Sequence, residues 1–373
     1  MDRLHIAFFG PANSGKSTLV NALCGQEVSL VSPVPGTTTD PVRKAVELPG
    51  LGACVLIDTA GLDDASLLGP ERRRRTLAVI DETDIAVVLG TDVIPDAPSV
   101  IPDAPSVIPD LIGDLPVVVY KRGESIDSLL ERLRAVAPKQ EERFLTGDLV
   151  KAGDCVLLVM PQDSEAPKGR LILPQVQVLR ELLDRGCNPI CCTPESLSSA
   201  LSKVTPDLVI TDSQVFGLVN RALPPEMPLT SFSVLLAGAK GDIRTFVEGA
   251  EAIDKLKPGD CVLIAEACTH VPDTEDVGRV KIPALLRKRM ADQVGHDNPS
   301  LTIEIAAGND FPEDLSPYSL IIHCGACVAT RTLVQARIKK ALREGVPITN
   351  YGIAIAKLQG ILDRIEIPGR GRE

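Results

Sequence analysis

The octapeptide Gly10-Pro11-Ala12-Asn13-Ser14-Gly15-Lys16-Ser17 restricts what this chain can fold into more than any other stretch. It fits the spacing Gly, four residues, Gly-Lys, then Ser or Thr. A short apolar run, Leu4–Phe9, precedes it and reads as a strand, and residues 17–24 read as a helix. In that setting the glycines let backbone N–H groups curl around a phosphate, and the helix N-terminus adds positive potential. Asn13, Ser14, Gly15, Lys16, Ser17 and Thr18 are therefore candidate nucleotide-binding residues. Lys16 would neutralise the β- and γ-phosphate oxygens, and Ser17 would ligate Mg2+. Further short apolar strands at 54–57 and Ile85–Leu89, separated by helical stretches, predict an α/β fold with a parallel sheet and crossover helices.

The partners of such a loop follow in order. Gly36-Thr37-Thr38-Thr39-Asp40 supplies hydroxyls, and Thr38 is the candidate second Mg2+ ligand. Asp58-Thr59-Ala60-Gly61 ends a strand and offers a carboxylate near the metal and the Gly61 amide for the γ-phosphate. Lys16, Thr38, Asp58 and Gly61 make up the candidate catalytic set; Asp58 and Gly61 also count among the nucleotide-binding residues. Together these motifs mark a nucleoside triphosphatase of the translation-factor type. Leu62 stands where related switches carry a water-orienting glutamine, so hydrolysis is slow or positions its water by other means.

Guanine is normally read by Asn-Lys-x-Asp after the next strand. Here that region holds VIPDAPS at 93–99, VIPDAPS again at 100–106 and VIPD at 107–110. Its prolines exclude a helix or a central strand, and the segment reads as an extended, polyproline-like spacer. The following strand, Val117–Tyr120, runs into Lys121-Arg122-Gly123-Glu124-Ser125-Ile126-Asp127, which looks like the segment that closes such domains. The expectation is a G domain without its base-reading strand and helix, and with weakened discrimination of guanine from adenine.

After a helix near Ile126–Val136 the pattern restarts. Ala152-Gly153-Asp154-Cys155-Val156-Leu157-Leu158 is echoed by Pro258-Gly259-Asp260-Cys261-Val262-Leu263-Ile264. Helix-then-strand pairs follow each, at 175–185 with 189–192 and at 332–344 with 347–350. Two further α/β units result, with boundaries near 147 and 239. The 39 Lys and Arg against 50 Asp and Glu leave a net charge of −11. That charge, ten aromatic residues and no basic run beyond Arg72–Arg75 speak against a nucleic-acid partner. No apolar run approaches the 18 residues of a membrane span, and the first residues lack a signal-peptide layout, so the expected location is the cytoplasm.

Ten cysteines in 373 residues are too dilute for a disulfide scaffold. Three of them stand beside two of the four histidines. Cys268-Thr269-His270 follows the strand at 262–265, and His323-Cys324-Gly325-Ala326-Cys327 follows the strand at 320–322. Both lie at strand C-termini, where parallel sheets place their binding sites. Cys268, His270, His323, Cys324 and Cys327 are the candidate metal ligands, and their chemistry suits tetrahedral zinc or an iron–sulfur cluster equally. The other seven cysteines read as small core residues, Cys155, Cys191, Cys192 and Cys261 lying in apolar strands.

The phosphate loop and Gly-Thr-Thr-x-Asp resemble those of the GTPases related to tRNA-modification and ribosome-assembly G proteins. That resemblance implies K+ held through Asn13 in place of an arginine finger. The same domain combined with Cys-x-His and His-Cys-x-x-Cys resembles the [FeFe]-hydrogenase maturation GTPases, the HydF family. The likeness extends to 163–177, 207–214, 264–270, 278–283 and 346–352, and spans essentially the whole chain. It implies three α/β domains: a P-loop GTPase domain at 1–146, a dimerisation domain at 147–238 and an iron–sulfur cluster domain at 239–373. It further implies GTP or GDP with Mg2+, and a [4Fe–4S] cluster on Cys268, Cys324 and Cys327 with an exchangeable fourth position for His270 or His323. The family scaffolds or carries a di-iron precursor, with radical-SAM maturases and apo-[FeFe]-hydrogenase as partners and self-association as a dimer or larger oligomer. The competing reading is a switch GTPase acting on RNA or ribosomes, with a structural zinc module.

Overall fold

The computed structural model describes residues 3–11, 13–25, 41–60, 78–89, 115–121, 123–138, 144–162, 171–267, 276–295, 300–308 and 310–369. It divides into two compact units, Met1–Glu141 and Glu142–Glu373. Thr38, Asp40, Gly61, Arg72–Arg75, the proline repeat, Cys268 and His270 lie outside the described residues.

The first unit is built on strands β1 (Leu4–Phe9), β2 (Val42–Leu48), β3 (Gly52–Asp58), β4 (Ile85–Leu89) and β5 (Val117–Tyr120), with helices α1 (Lys16–Cys24) and α2 (Ile126–Val136). Its sheet runs β2-β3-β1-β4-β5, antiparallel only between β2 and β3. β1 and β4 are central and read as continuous apolar runs, because a parallel sheet is covered on both faces. β2, at the edge, alternates exposed and half-buried positions. β4 pairs directly with β5, and the chain passes from β5 to α2 without another strand. Among the described residues nothing pairs outside β5. In α2, Ser125 caps the first turn by accepting from the Ser128 amide, and Leu129, Leu130 and Leu133 turn inward.

The second unit holds two four-stranded parallel sheets of the same topology. The first comprises β6 (Cys155–Val159), β7 (Asn188–Cys192), β8 (Leu208–Thr211) and β9 (Leu229–Ser231), ordered β7-β6-β8-β9. The second comprises β10 (Cys261–Glu266), β11 (Thr302–Ala307), β12 (Leu320–His323) and β13 (Ile348–Asn350), ordered β11-β10-β12-β13. Helices α3 (Leu173–Asp184), α4 (Leu197–Leu201), α5 (Phe216–Ala222) and α6 (Phe232–Lys240) accompany the first sheet in chain order. Helices α7 (Ile243–Ala250), α8 (Ile282–Val294), α9 (Arg331–Arg343) and α10 (Tyr351–Leu358) accompany the second.

The internal echo has a structural cause. Gly153 and Gly259 take left-handed φ values of 91° and 96°, and the next residues, Asp154 and Asp260, accept the amides of Lys151 and Lys257. The same tight turn thus launches the first strand of each sheet. One apolar core runs through both sheets, joining Leu157, Val209 and Phe216 to Ile264, Ile322 and Ile348. The three-domain α/β plan is therefore present, with its second and third members packed as one unit. Of the seven cysteines read as core residues, Cys54 and Cys187 are buried, Cys24, Cys155, Cys192 and Cys261 are half-buried, and Cys191, on the edge strand β7, is exposed. All nine described cysteines are free thiols.

Candidate functional site

β1 ends at the phosphate loop, and its position in the sheet brings the motifs together. β1 pairs with β3 in the register Phe8 to Asp58, so the loop and Asp58 emerge side by side. Ser17 donates to Asp58 Oδ2 at 2.6 Å, joining a candidate Mg2+ ligand to the carboxylate expected near that metal. Asp58 is fully buried. Gly10 packs so tightly under β4 that a Cβ would come within 2.5 Å of the Leu89 carbonyl. Asn13 (φ 60°) and Gly15 (φ 94°) both adopt left-handed backbone, the alternation that curls successive amides into an anion-binding concavity. Lys16, 6% exposed, arches back so that Nζ donates to the carbonyls of Gly10 at 3.0 Å and Pro11 at 2.6 Å. Ser14 is half-buried; Asn13 and Thr18 are exposed.

The chain contains no Asn-Lys pair anywhere. Glu124, three residues beyond Lys121, is the acid nearest the position of a base-reading carboxylate, and it is committed elsewhere. It accepts from Ser128 Oγ, from the Lys121 amide and from Arg132, whose other nitrogen holds the Val119 carbonyl. Burial pushes the Glu124 carboxyl up, but these hydrogen bonds and the Arg132 charge outweigh it and hold the group below its ordinary value.

The cysteine site sits at the carboxyl ends of β10, β12 and β13. Cys324 Sγ accepts the amide of Ala267 at 3.1 Å and that of Ala326 at 3.4 Å. The backbone just beyond β10 and the turn beyond β12 thus meet at this sulfur. Burial pushes the Cys324 thiol above its ordinary value, outweighing the two amides and Arg337, which pull it down. Ala326 takes a left-handed φ of 52°, a conformation costing roughly 1 kcal/mol in a residue with a Cβ. That turn aims its amide back at the sulfur. Asn350 donates to the Cys324 carbonyl at 3.3 Å and fixes the turn from β13.

His323 is buried, and both its ring nitrogens are engaged. Nδ1 lies 2.8 Å from the Cys324 carbonyl, and Nε2 lies 3.2 Å from Arg337 Nη1. The carbonyl can only accept and the guanidinium only donate, which assigns the proton to Nδ1. Burial, then the Arg337 charge, push His323 down to about 3. A neutral imidazole so held props the turn and presents no spare nitrogen. Among the described residues no group of three His, Cys, Asp or Glu side chains is arranged to hold a metal, Cys268 and His270 being outside them.

Sequence reading missed two residues. Lys240 ends α6, and its buried ammonium donates to the carbonyls of Ala326 at 2.9 Å, Ala329 at 2.8 Å and Cys327 at 3.4 Å. A lone lysine closing an otherwise apolar helix was the available signal, but nothing in its spacing pointed 86 residues onward. Tyr351, beside Cys324 at the start of α10, lies in a stretch that carried family likeness without a role.

Family models described as Hydrogen maturase F dimerization domain and Hydrogen maturase F tetramerization domain match residues 145–241 and 244–367, together more than half of the chain. This chain belongs to the HydF family. A third model, described as 50S ribosome-binding GTPase, matches residues 5–108, so this HydF member carries a GTPase domain and two domains of self-association. The segment expected as the cluster domain coincides with the HydF tetramerization domain.

Curated relatives include the tRNA modification GTPase MnmE of Xanthomonas oryzae, 43% identical over 24% of this chain and 20% of that protein. MnmE of Acidiphilium cryptum is 38% identical over 38% of this chain and 34% of that protein. The chain thus spans a fifth to a third of the length of these relatives. The crystal structure of a point variant of Aquifex aeolicus Era bound to GDP and aluminium fluoride aligns with 85% of this chain and 99% of that one, at 16% identity and a TM-score of 0.27. That likeness is too slight to bear on either unit. No described helix is long and apolar enough to cross a membrane.

Proposed function

We propose that this HydF protein is a hydrogenase maturation scaffold that binds a [4Fe–4S] cluster through Cys268, Cys324 and Cys327. Its cargo is a di-iron precursor destined for apo-[FeFe]-hydrogenase, received in concert with radical-SAM maturases. The observation that supports this reading is the hydrogen bond from the Ala267 amide to Cys324 Sγ, which joins the end of β10, one residue before Cys268 in the sequence, to the Cys-x-x-C turn. The residues present fit such a group. Amide donors to a cysteine sulfur stabilise its thiolate, and cluster thiolates are tuned by contacts of this kind. When bound, a cluster on three thiolates supplies an iron position at which an incoming iron complex can be anchored. The chain's own part is to hold the thiolates: Asn350 and His323 fix the Cys324 carbonyl, Lys240 fixes the turn beyond it, and Arg337 orients His323. His270 is the remaining side chain of the original ligand set for a fourth position. The division 1–146, 147–238 and 239–373 assigns GTPase, dimerisation and cluster binding to successive parts, in a cytoplasmic homo-oligomer.

In the GTPase domain, Lys16 neutralises phosphate oxygens, Ser17 and Thr38 hold Mg2+, Asp58 orients that metal's shell, and Gly61 receives the γ-phosphate. Asn13 provides the K+ site. With Leu62 in place of a glutamine and Glu124 committed to Arg132, hydrolysis is slow and guanine selectivity is poor.

Anaerobic reconstitution with iron and sulfide tests the reading. Wild-type protein should take up four irons and show a reduced-cluster EPR signal, and Cys268→Ser, Cys324→Ser and Cys327→Ser should each lose both. Zinc in the purified protein with no iron uptake would overturn it in favour of a structural module.

A further inference from the structure

Tyr351 opens α10 directly after β13, and the pairing of His323 with Asn350 sets it beside Cys324. Its hydroxyl is buried and has no hydrogen-bond partner among the described residues. The acceptors around it are engaged. Glu266 receives Arg279 on both oxygens, at 2.8 and 3.4 Å, and Asp276 accepts the Arg279 amide at 2.8 Å. Cys324 Sγ faces the amides of Ala267 and Ala326.

Space has been cleared for this hydroxyl. A Cβ on Gly278 would lie 2.0 Å from Tyr351 Oη and 3.0 Å from Glu266 Oε1. A buried hydroxyl without a partner is costly, and native proteins keep few of them without a use. A phenol O–H can donate a hydrogen bond as well as accept one.

We propose that Tyr351 Oη is a hydrogen-bond donor to the inorganic group held at Cys324, with a cluster sulfur as acceptor. The inference rests on the cluster reading above and adds a ligand-facing residue outside the Cys and His motifs. A donor to sulfur favours the reduced, more negative state of the cluster, so removing it makes reduction harder.

The test is Tyr351→Phe, which keeps the ring. Two readouts are taken: thermal melting of the metal-free protein, and the midpoint potential of the reconstituted cluster. Without metal the variant should melt at or above the wild type, because the lost hydroxyl had no partner to forfeit. With the cluster, the reduction equilibrium should shift about fivefold toward the oxidised form, the worth of one hydrogen bond. For a one-electron step that is about 40 mV more negative. An iron-loaded variant with wild-type potential, or a metal-free variant that melts lower, would overturn this inference alone. Wild-type protein that takes up no iron would sink the cluster reading, and this one with it.

Discussion

Lys240→Met removes the ammonium that holds the Cys-x-x-C turn and leaves a side chain of nearly the same length. In the native protein Nζ donates to three carbonyls of one turn, those of Ala326, Cys327 and Ala329. Hydrogen bonds to a charged donor are each worth about 1.5–3 kcal/mol, but the wild type also bears the cost of desolvating the ammonium. The net loss on substitution is therefore about 2–5 kcal/mol, in the range for breaking a buried charged network. In a unit of this size each kcal/mol shifts Tm by about 2–4 °C, so the second unit should melt roughly 5–15 °C lower. The Lys240 carbonyl is held separately by Gln335 at 3.2 Å, so the helix end itself should persist. Differential scanning calorimetry reads the melting, and iron content after reconstitution reads the turn. A variant that melts within a degree of wild type and retains its iron would refute the argument that this lysine organises the site.

Other substitutions and conditions give equally definite expectations. Gly249→Ala should destabilise the second unit: helix propensity favours Ala by about 1 kcal/mol, but its Cβ would stand 2.0 Å from the Ile348 carbonyl, backbone that cannot yield. Urea unfolding would show a lower midpoint at unchanged slope. Ser17→Ala should weaken Mg2+-dependent nucleotide binding by about 10–100-fold, the loss of one charge-assisted contact, with little change in Mg2+-free binding; titration of a fluorescent nucleotide in both conditions checks this. GDP and ADP affinities measured by calorimetry should differ by less than about tenfold, and a thousandfold preference for GDP would show that another element reads the base. Tyr318, bonded to Glu304, is pushed up to about 12 by burial and that contact. Between its ordinary value of 10 and about 12 the unfolded chain loses a proton the folded chain keeps, so stability falls as pH rises through that window, and Tyr318→Phe should flatten the fall.

The parts of the fold written in short-range pattern were legible. The glycines and Lys16 of the phosphate loop, the apolar strands and the echoed Gly-Asp-Cys turns depend on a few consecutive residues, and the structure places them as read. Ser17, in the first turn of α1 beyond β1, and Asp58, at the end of β3, meet because adjacent strands lead into them. What escaped were contacts set by tertiary packing. Lys240 serves a turn 86 residues later, and Cys191 is exposed only because its strand falls at a sheet edge. His323 illustrates the same limit. Its neighbours made it a metal-ligand candidate, yet Arg337, from α9, takes the nitrogen such a role would need.

The lysine at the end of α6 also bears on how the protein can be divided. The two self-association domains meet between residues 241 and 244, a natural place to sever the chain when a smaller fragment is wanted. Such a cut strands Lys240 on the discarded side and opens the apolar core that both sheets share. Excised pieces beginning there would understate what the intact polypeptide retains, and the Cys324–Cys327 turn must be inherited together with the helix whose lysine holds it.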